Sequence, residues 1–174
     1  ATSTGLGFLV LLADKMIEKG KDLNEIKSKI MQERDNLTTY FTVNELSYLE
    51  QGGRIGKTQA FLGNIFNFNP ILELSSETGG IIAKEKIRGY KKTNKRLIEL
   101  ALEATRDSKN INFAYLYGKN SDNFKQFQDF FEKELNEQNR FKYNLISNRI
   151  GSVLTSHTGP LVYGIVIYRG ELLE

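Results

Sequence analysis

The sequence predicts an α/β protein: a two-layer sandwich of helices on a mixed sheet, preceded by the last helices and a strand of an N-terminal α/β unit. Three observations carry this. Helical and strand-like apolar periodicities alternate from residue 54 onward, which in one chain implies helices packed on a sheet. Turn signals of hairpin type separate neighbouring strand-like runs, so part of the sheet is antiparallel. A length of 174 residues with 40% hydrophobic and 26% charged content is that of a globular chain. The expected division is 1–50, the end of the first unit, and 51–174, the second.

Leu6, Leu9, Val10, Ala13, Met16 and Ile17 recur at helical spacing until Gly20 stops the pattern. Asp22, with Glu25 three residues on, forms a capping box for a second helix whose stripe is Leu23, Ile26 and Ile30. The β-branched and aromatic run 40–43 reads as a strand, and Asn44 as the cap of a brief helix ended by Gly52 and Gly53. Ile55, Phe61, Leu62, Ile65 and Phe66 predict a helix terminated at Asn69 and Pro70. Strands over 71–74 and 80–87 flank the turn 76–79. An amphipathic helix over 90–107 follows, with Leu97, Ile98, Ala101 and Leu102 inward. After a strand over 111–117, Ser121 opens a helix striped by Phe124, Phe127, Phe130, Phe131 and Leu135. Strands over 143–147, 151–155 and 161–168 complete the pattern.

Composition removes several function classes. The chain has no cysteine and one histidine, His157, so disulfides, thiolate chemistry and the usual zinc sites are out. The apolar N-terminal run is broken at Asp14 and Lys15, too early for a spanning helix, and it has no basic leader region. A formal net charge of +3 is modest. The positive residues Lys84, Lys86, Arg88, Lys91, Lys92, Lys95 and Arg96 are nevertheless concentrated in one run, opposed only by Glu85. That run is the basis of an alternative reading, a nucleic-acid-binding module, although Tyr90 is the only aromatic interleaved with it.

Two runs stand out as ligand-facing. The first, YLEQGGRIGK (48–57), pairs glycines with Arg54 and Lys57, which either end a helix in solvent or present charge to a carboxylate or an acidic partner. It is not a phosphate loop, because Gln51 stands where the first glycine of that pattern belongs and no parental strand precedes it. The second run, GSVLTSHTGP (151–160), carries His157 and Thr158 between two strand-like stretches. His157 is either a satisfied core imidazole or a hydrogen-bonding group for an anionic head group. A hydrolytic triad is disfavoured because no GxSxG elbow occurs, and a strand here would point Ser156 away from His157.

Taken in order, these residues resemble a family pattern. FTVNELSYLEQGGRI (41–55) is similar to its two spaced leucines followed by Gly-Gly-Arg-Ile. AFLG (60–63), PIL (70–72), Gly80 with KIR (86–88) and Lys92, and HTGP (157–160) follow in the family's order. STGLG (3–7) resembles the start of a helix leaving an N-terminal-domain strand. The family is DegV, bacterial fatty-acid-binding proteins that include the acyl-carrying subunit of bacterial fatty acid kinase, and the resemblance extends from Ser3 to Gly159.

The resemblance implies a cytoplasmic carrier, not an enzyme in its own right. It needs no cofactor and holds one long-chain fatty acid in a tunnel between two domains. A separate ATP-using kinase subunit would convert the presented carboxylate to an acyl phosphate. By position, His157 and Thr158 would meet the carboxylate, Phe61, Leu62, Ile65 and Phe66 would line the acyl tail, and Arg54 and Arg88 would face the kinase. Family members are longer and begin with a domain whose Ser and Thr residues hold the carboxylate. The chain therefore reads as a C-terminal portion with weakened or lost lipid binding. Leu161 also departs from the small residue common after the HTGP signature.

Overall fold

The structure is a computed structural model and describes residues 1–56, 58, 68–106 and 108–171. The chain opens with α1 (Ser3–Glu18), α2 (Leu23–Glu33) and a short 3-10 turn (Arg34–Asn36), which lead into β1 (Leu37–Thr42) and α3 (Ser47–Gln51). The hairpin strands β2 (Asn69–Leu74) and β3 (Ile81–Ile87) follow, then α4 (Tyr90–Glu103), β4 (Asn110–Tyr117), α5 (Asp122–Glu137), β5 (Lys142–Arg149), α6 (Ser152–Thr158) and β6 (Tyr163–Arg169). The expected tail-lining residues Phe61, Leu62, Ile65 and Phe66 lie outside the described residues.

The strands form one six-stranded sheet in the order β3-β2-β1-β6-β4-β5. All pairs are antiparallel except β4 with β5, which α5 connects. The mixed α/β class read from the sequence is what the chain adopts. Within it, β1, expected to belong to the 1–50 segment, pairs on both sides with strands from the remainder, aligning Phe41 with Leu72 of β2 and with Gly164 of β6.

Strand side chains alternate faces, and the two sets build two cores. Tyr40, Phe113, Tyr115, Tyr163, Ile165 and Ile167 point toward α4 and α5. There Phe124, Phe127, Phe131 and Leu135 of α5 are buried, as the phenylalanine stripe predicts. Leu37, Phe41, Leu72, Ala114, Leu116, Val166 and Tyr168 pack on the other face with Phe8 and Leu9 of α1 and Leu49 of α3. Helices therefore cover both faces of the sheet.

Local signals explain several element ends. Asp22 accepts hydrogen bonds from the Asn24 and Glu25 backbone, while the Glu25 carboxylate accepts one from the Asp22 N–H, the full capping box. Ser121 Oγ accepts from the Phe124 N–H and starts α5. The β2–β3 turn closes through Ser75, whose backbone pairs with Gly80 and Gly79 and whose hydroxyl accepts from the Thr78 N–H.

Other expectations are corrected. The 151–155 strand is instead the start of α6, because Gly151 sits in an extended conformation and the chain then coils. The Thr155 hydroxyl donates to the Gly151 carbonyl and the Thr158 hydroxyl to the Leu154 carbonyl, bonds that a helix allows and a strand does not. Asn44 does not cap α3, which has Leu46 at its cap position; the Asn44 side chain accepts the Tyr90 hydroxyl instead. On α1 and α2, Leu6, Val10, Ile17 and Leu23 of the expected stripes are exposed. Helix α1 carries apolar residues around much of its circumference, so spacing alone did not select the face that packs. The face that packs carries Thr4, Gly5, Phe8 and Leu9.

Candidate functional site

The sequence places two unusual runs far apart, and the fold brings them together. Helices α3 and α6 lie side by side on the face of the sheet occupied by α1. Gly52, the residue that ends α3, meets the His157 ring: a Cβ built on Gly52 would lie 2.2 Å from His157 Nδ1. Gly159, after α6, meets Tyr48 of α3 in the same manner, its virtual Cβ lying 2.8 Å from Tyr48 Cδ2. Each helix thus contributes a ring and receives one over a glycine.

Beside this contact is an open cavity of about 880 Å³. Its floor is apolar, formed by Phe41, Leu49, Leu116, Ile150 and Val162, and the β2–β3 turn closes one side. Its polar wall includes Ser3, Arg54, His157 and Thr158. This size lies in the range of small-molecule sites, and a mostly apolar lining with a few polar groups is their usual chemistry. Three of the four polar residues expected from the sequence to be functional therefore share one cavity. The fourth, Arg88, is not part of its wall; its guanidinium stacks over the Phe68 ring, 5.1 Å from the centroid.

The hydrogen bonds differentiate the polar groups. His157 is only partly exposed, and no hydrogen bond engages its ring among the described residues. The Thr158 hydroxyl donates to the Leu154 carbonyl at 2.9 Å, so its proton is engaged within α6 and its oxygen is left to accept. Arg54 is exposed and turns back to donate from Nη1 to the Gly52 carbonyl at 2.6 Å, the one hydrogen bond of its guanidinium among the described residues. Ser3 was not among the residues expected to act. Its Oγ is buried without a hydrogen-bond partner among the described residues, and the residue begins α1 with φ 50°. The STGLG run marks the start of α1 in the sequence, but only the fold shows that this start lies at the cavity wall. Ser3 lines the cavity at the N-terminal end of α1.

The basic run is less available than its sequence implies. Arg96 donates to Glu85, Glu99 and Glu103, and Lys84 pairs with Glu73 at 2.9 Å. Among the described residues no cluster of His, Asp or Glu fits a metal ion, and no helix is long and apolar enough to cross a membrane.

Comparison with known proteins agrees with this architecture. A DegV domain-containing protein of Clostridium acetobutylicum is 34% identical over 167 residues, covering 95% of this chain and 57% of the relative. The chain thus spans little more than half the length of that relative. Among solved structures, a Thermus thermophilus DegV family protein described by its fatty acid binding superposes with a TM-score of 0.85 at 30% identity, over 98% of this chain and 59% of the other. A fatty acid binding DegV family protein from Streptococcus agalactiae gives 0.81 at 28% identity, over 94% and 55%. The pattern that defines the family described as "Uncharacterised protein, DegV family" matches residues 1–170, and with α3 and α6 joined at one cavity wall, the chain belongs to the DegV family.

Proposed function

We propose that the protein is a cytoplasmic long-chain fatty-acid carrier that binds its ligand in the 880 Å³ cavity and presents the carboxylate to a partner kinase. The observation that carries the reading is the junction of an apolar floor with a polar wall holding His157, Ser3 and Thr158. Burying a sixteen-carbon tail at about 0.8 kcal/mol per methylene supplies ample gross affinity. The carboxylate then needs donors at one end only. His157 donates from the ring edge turned away from Gly52, and the partnerless Ser3 hydroxyl supplies a second donor. Thr158, its proton held by Leu154, shapes the head-group wall rather than donating. Phe61, Leu62, Ile65 and Phe66 are the proposed continuation of the tail lining.

The chemistry belongs to the partner. A carboxylate oxygen attacks the γ-phosphorus of ATP, the bond to the β-phosphate oxygen breaks, and ADP leaves as the acyl phosphate forms. Arg54, exposed beside the cavity, is the proposed contact for the kinase subunit, and Arg88 adds to the same basic character.

Organic extraction of the purified chain followed by mass spectrometry tests the reading, with binding of palmitate measured for the chain and for His157→Ala. Co-purified fatty acid and at least tenfold weaker binding by the variant are expected. Absence of lipid and of palmitate binding in the unsubstituted chain would overturn it. Arg54→Ala is expected to retain palmitate while reducing acyl phosphate formation by the ATP-using subunit, and equal loss of both would remove Arg54 from the partner surface.

A further inference from the structure

We propose that Gly52 is a positioning residue for the head-group site: the space left by its missing side chain is what holds the His157 imidazole against the cavity wall. The inference rests on the carrier reading for its ligand, but its geometry stands independently.

Gly52 and Gly53 are adjacent and do different things. Gly53 has φ +66°, a conformation that favours glycine, and a Cβ there would meet nothing within 4 Å. It makes the turn after α3. Gly52 has φ −77° and ψ −2°, which any residue adopts, so the turn does not require a glycine there. Space does. A Cβ at Gly52 would fall 2.2 Å from His157 Nδ1 and 3.2 Å from its Cγ, with the Tyr48 carbonyl oxygen at 3.0 Å, where ordinary van der Waals contact begins near 3.4 Å; the ring is by far the worst clash. The ring would have to move by more than an ångström.

It has little freedom to move without leaving the site. Behind it, α6 packs on α3 through a second close contact, Gly159 against the Tyr48 ring, so moving the whole helix away would open both glycine contacts at once. Relief must come from rotation of the imidazole, which turns its free edge away from its present direction along the wall. Gly52 also offers its carbonyl to Arg54 Nη1, so the same residue sets the ring on one side and the guanidinium on the other. Displacements near 1 Å in a polar constellation are enough to cost orders of magnitude in binding or rate.

The single histidine makes this directly observable, because one imidazole Hε1 resonance in the proton NMR spectrum belongs to His157. We expect Gly52→Ala to move that resonance in the ligand-free protein and to weaken binding of carboxyl-labelled palmitate at least tenfold. Gly7→Ala, whose Cβ would meet nothing within 4 Å, is expected to change neither. The double variant Gly52→Ala, His157→Ala should bind palmitate no more weakly than His157→Ala alone, since the glycine acts through the ring. Should Gly52→Ala fold poorly, the double variant, which removes the clash with the ring and leaves only the 3.0 Å approach to the Tyr48 carbonyl, is expected to recover most of its melting temperature.

An unchanged His157 resonance with palmitate affinity within twofold of the unsubstituted chain would overturn the proposal. So would additive losses in the double variant, or a folding defect that His157→Ala does not relieve. Failure of the unsubstituted chain to bind palmitate would instead overturn the carrier reading, leaving the ligand-free resonance to decide the role of Gly52.

Discussion

The Tyr168 hydroxyl donates to Glu33 Oε2 at 2.8 Å, a buried bond that ties the last turn of α2 to the end of β6. Glu33 also accepts from Asn36 at 2.7 Å and pairs with Lys29 at 2.6 Å. Burial works to raise the Glu33 pKa, but the hydrogen bonds from Asn36, Lys29 and Tyr168 outweigh it and hold the group below its ordinary value. A carboxylate depressed in the folded state stabilises the fold above its unfolded pKa, and that contribution is lost as pH falls through the folded value. Glu33→Gln should therefore cost about 1–3 kcal/mol at pH 7 and flatten the acid limb of the stability curve. Urea denaturation at pH 7 and in the acid range checks this; an acid limb identical to that of the unsubstituted chain would refute it.

The contact of Gly159 with Tyr48 predicts a second asymmetry. Gly159 has φ +80°, so any side chain is strained there, and its Cβ would also strike the Tyr48 ring at 2.8 Å. Gly53, at φ +66°, carries the conformational penalty without a clash. Gly53→Ala should cost roughly 1–2 kcal/mol and Gly159→Ala clearly more. Tyr48→Ala in the Gly159→Ala background should recover part of the difference. Equal destabilisation by the two alanines in thermal denaturation would mean that the Tyr48 contact carries no strain.

Much of the fold is written locally. The capping box at Asp22, the Ser121 cap and the phenylalanine stripe of α5 are interactions within a few residues, and periodicity finds them. The α6 segment reads as a strand because 151–155 is short and holds Val153 and Thr155; its i−4 hydroxyl bonds, visible only in three dimensions, go with a helix. The site divides in the same way. His157, Thr158 and Arg54 sit in distinctive runs and are legible, whereas Ser3 becomes a candidate only when α1 is laid on the sheet. The steric meaning of Gly52 is likewise a tertiary fact, since its own backbone would accept any residue.

Val153 offers a test that separates binding from stability. It is 73% exposed on α6 yet lines the cavity, so it contributes little to the core. Val153→Asp should change unfolding free energy by no more than about 0.5 kcal/mol, as for an ordinary surface site. A carboxylate beside the apolar floor would nevertheless oppose a fatty acid through lost apolar contact and like charge, and a severalfold weaker palmitate affinity is expected. Unchanged affinity would place the acyl chain away from α6.

The basic run from Lys84 to Arg96 yields the last prediction. A nucleic-acid surface neutralises phosphates with free cations, and its affinity falls steeply with salt in proportion to their number. Here Arg96 is surrounded by Glu85, Glu99 and Glu103, each within 3.1 Å, and Lys84 is paired with Glu73. Carboxylates in this arrangement oppose the approach of a phosphate backbone to Arg96 and Lys84. Tyr90, the one aromatic in the run, is tied through its hydroxyl to Asn44. Titration with single-stranded and duplex oligonucleotides at low ionic strength should show no saturable binding, and Lys91→Glu with Lys92→Glu should leave palmitate affinity unchanged. Saturable binding with a steep dependence on salt would restore the nucleic-acid reading.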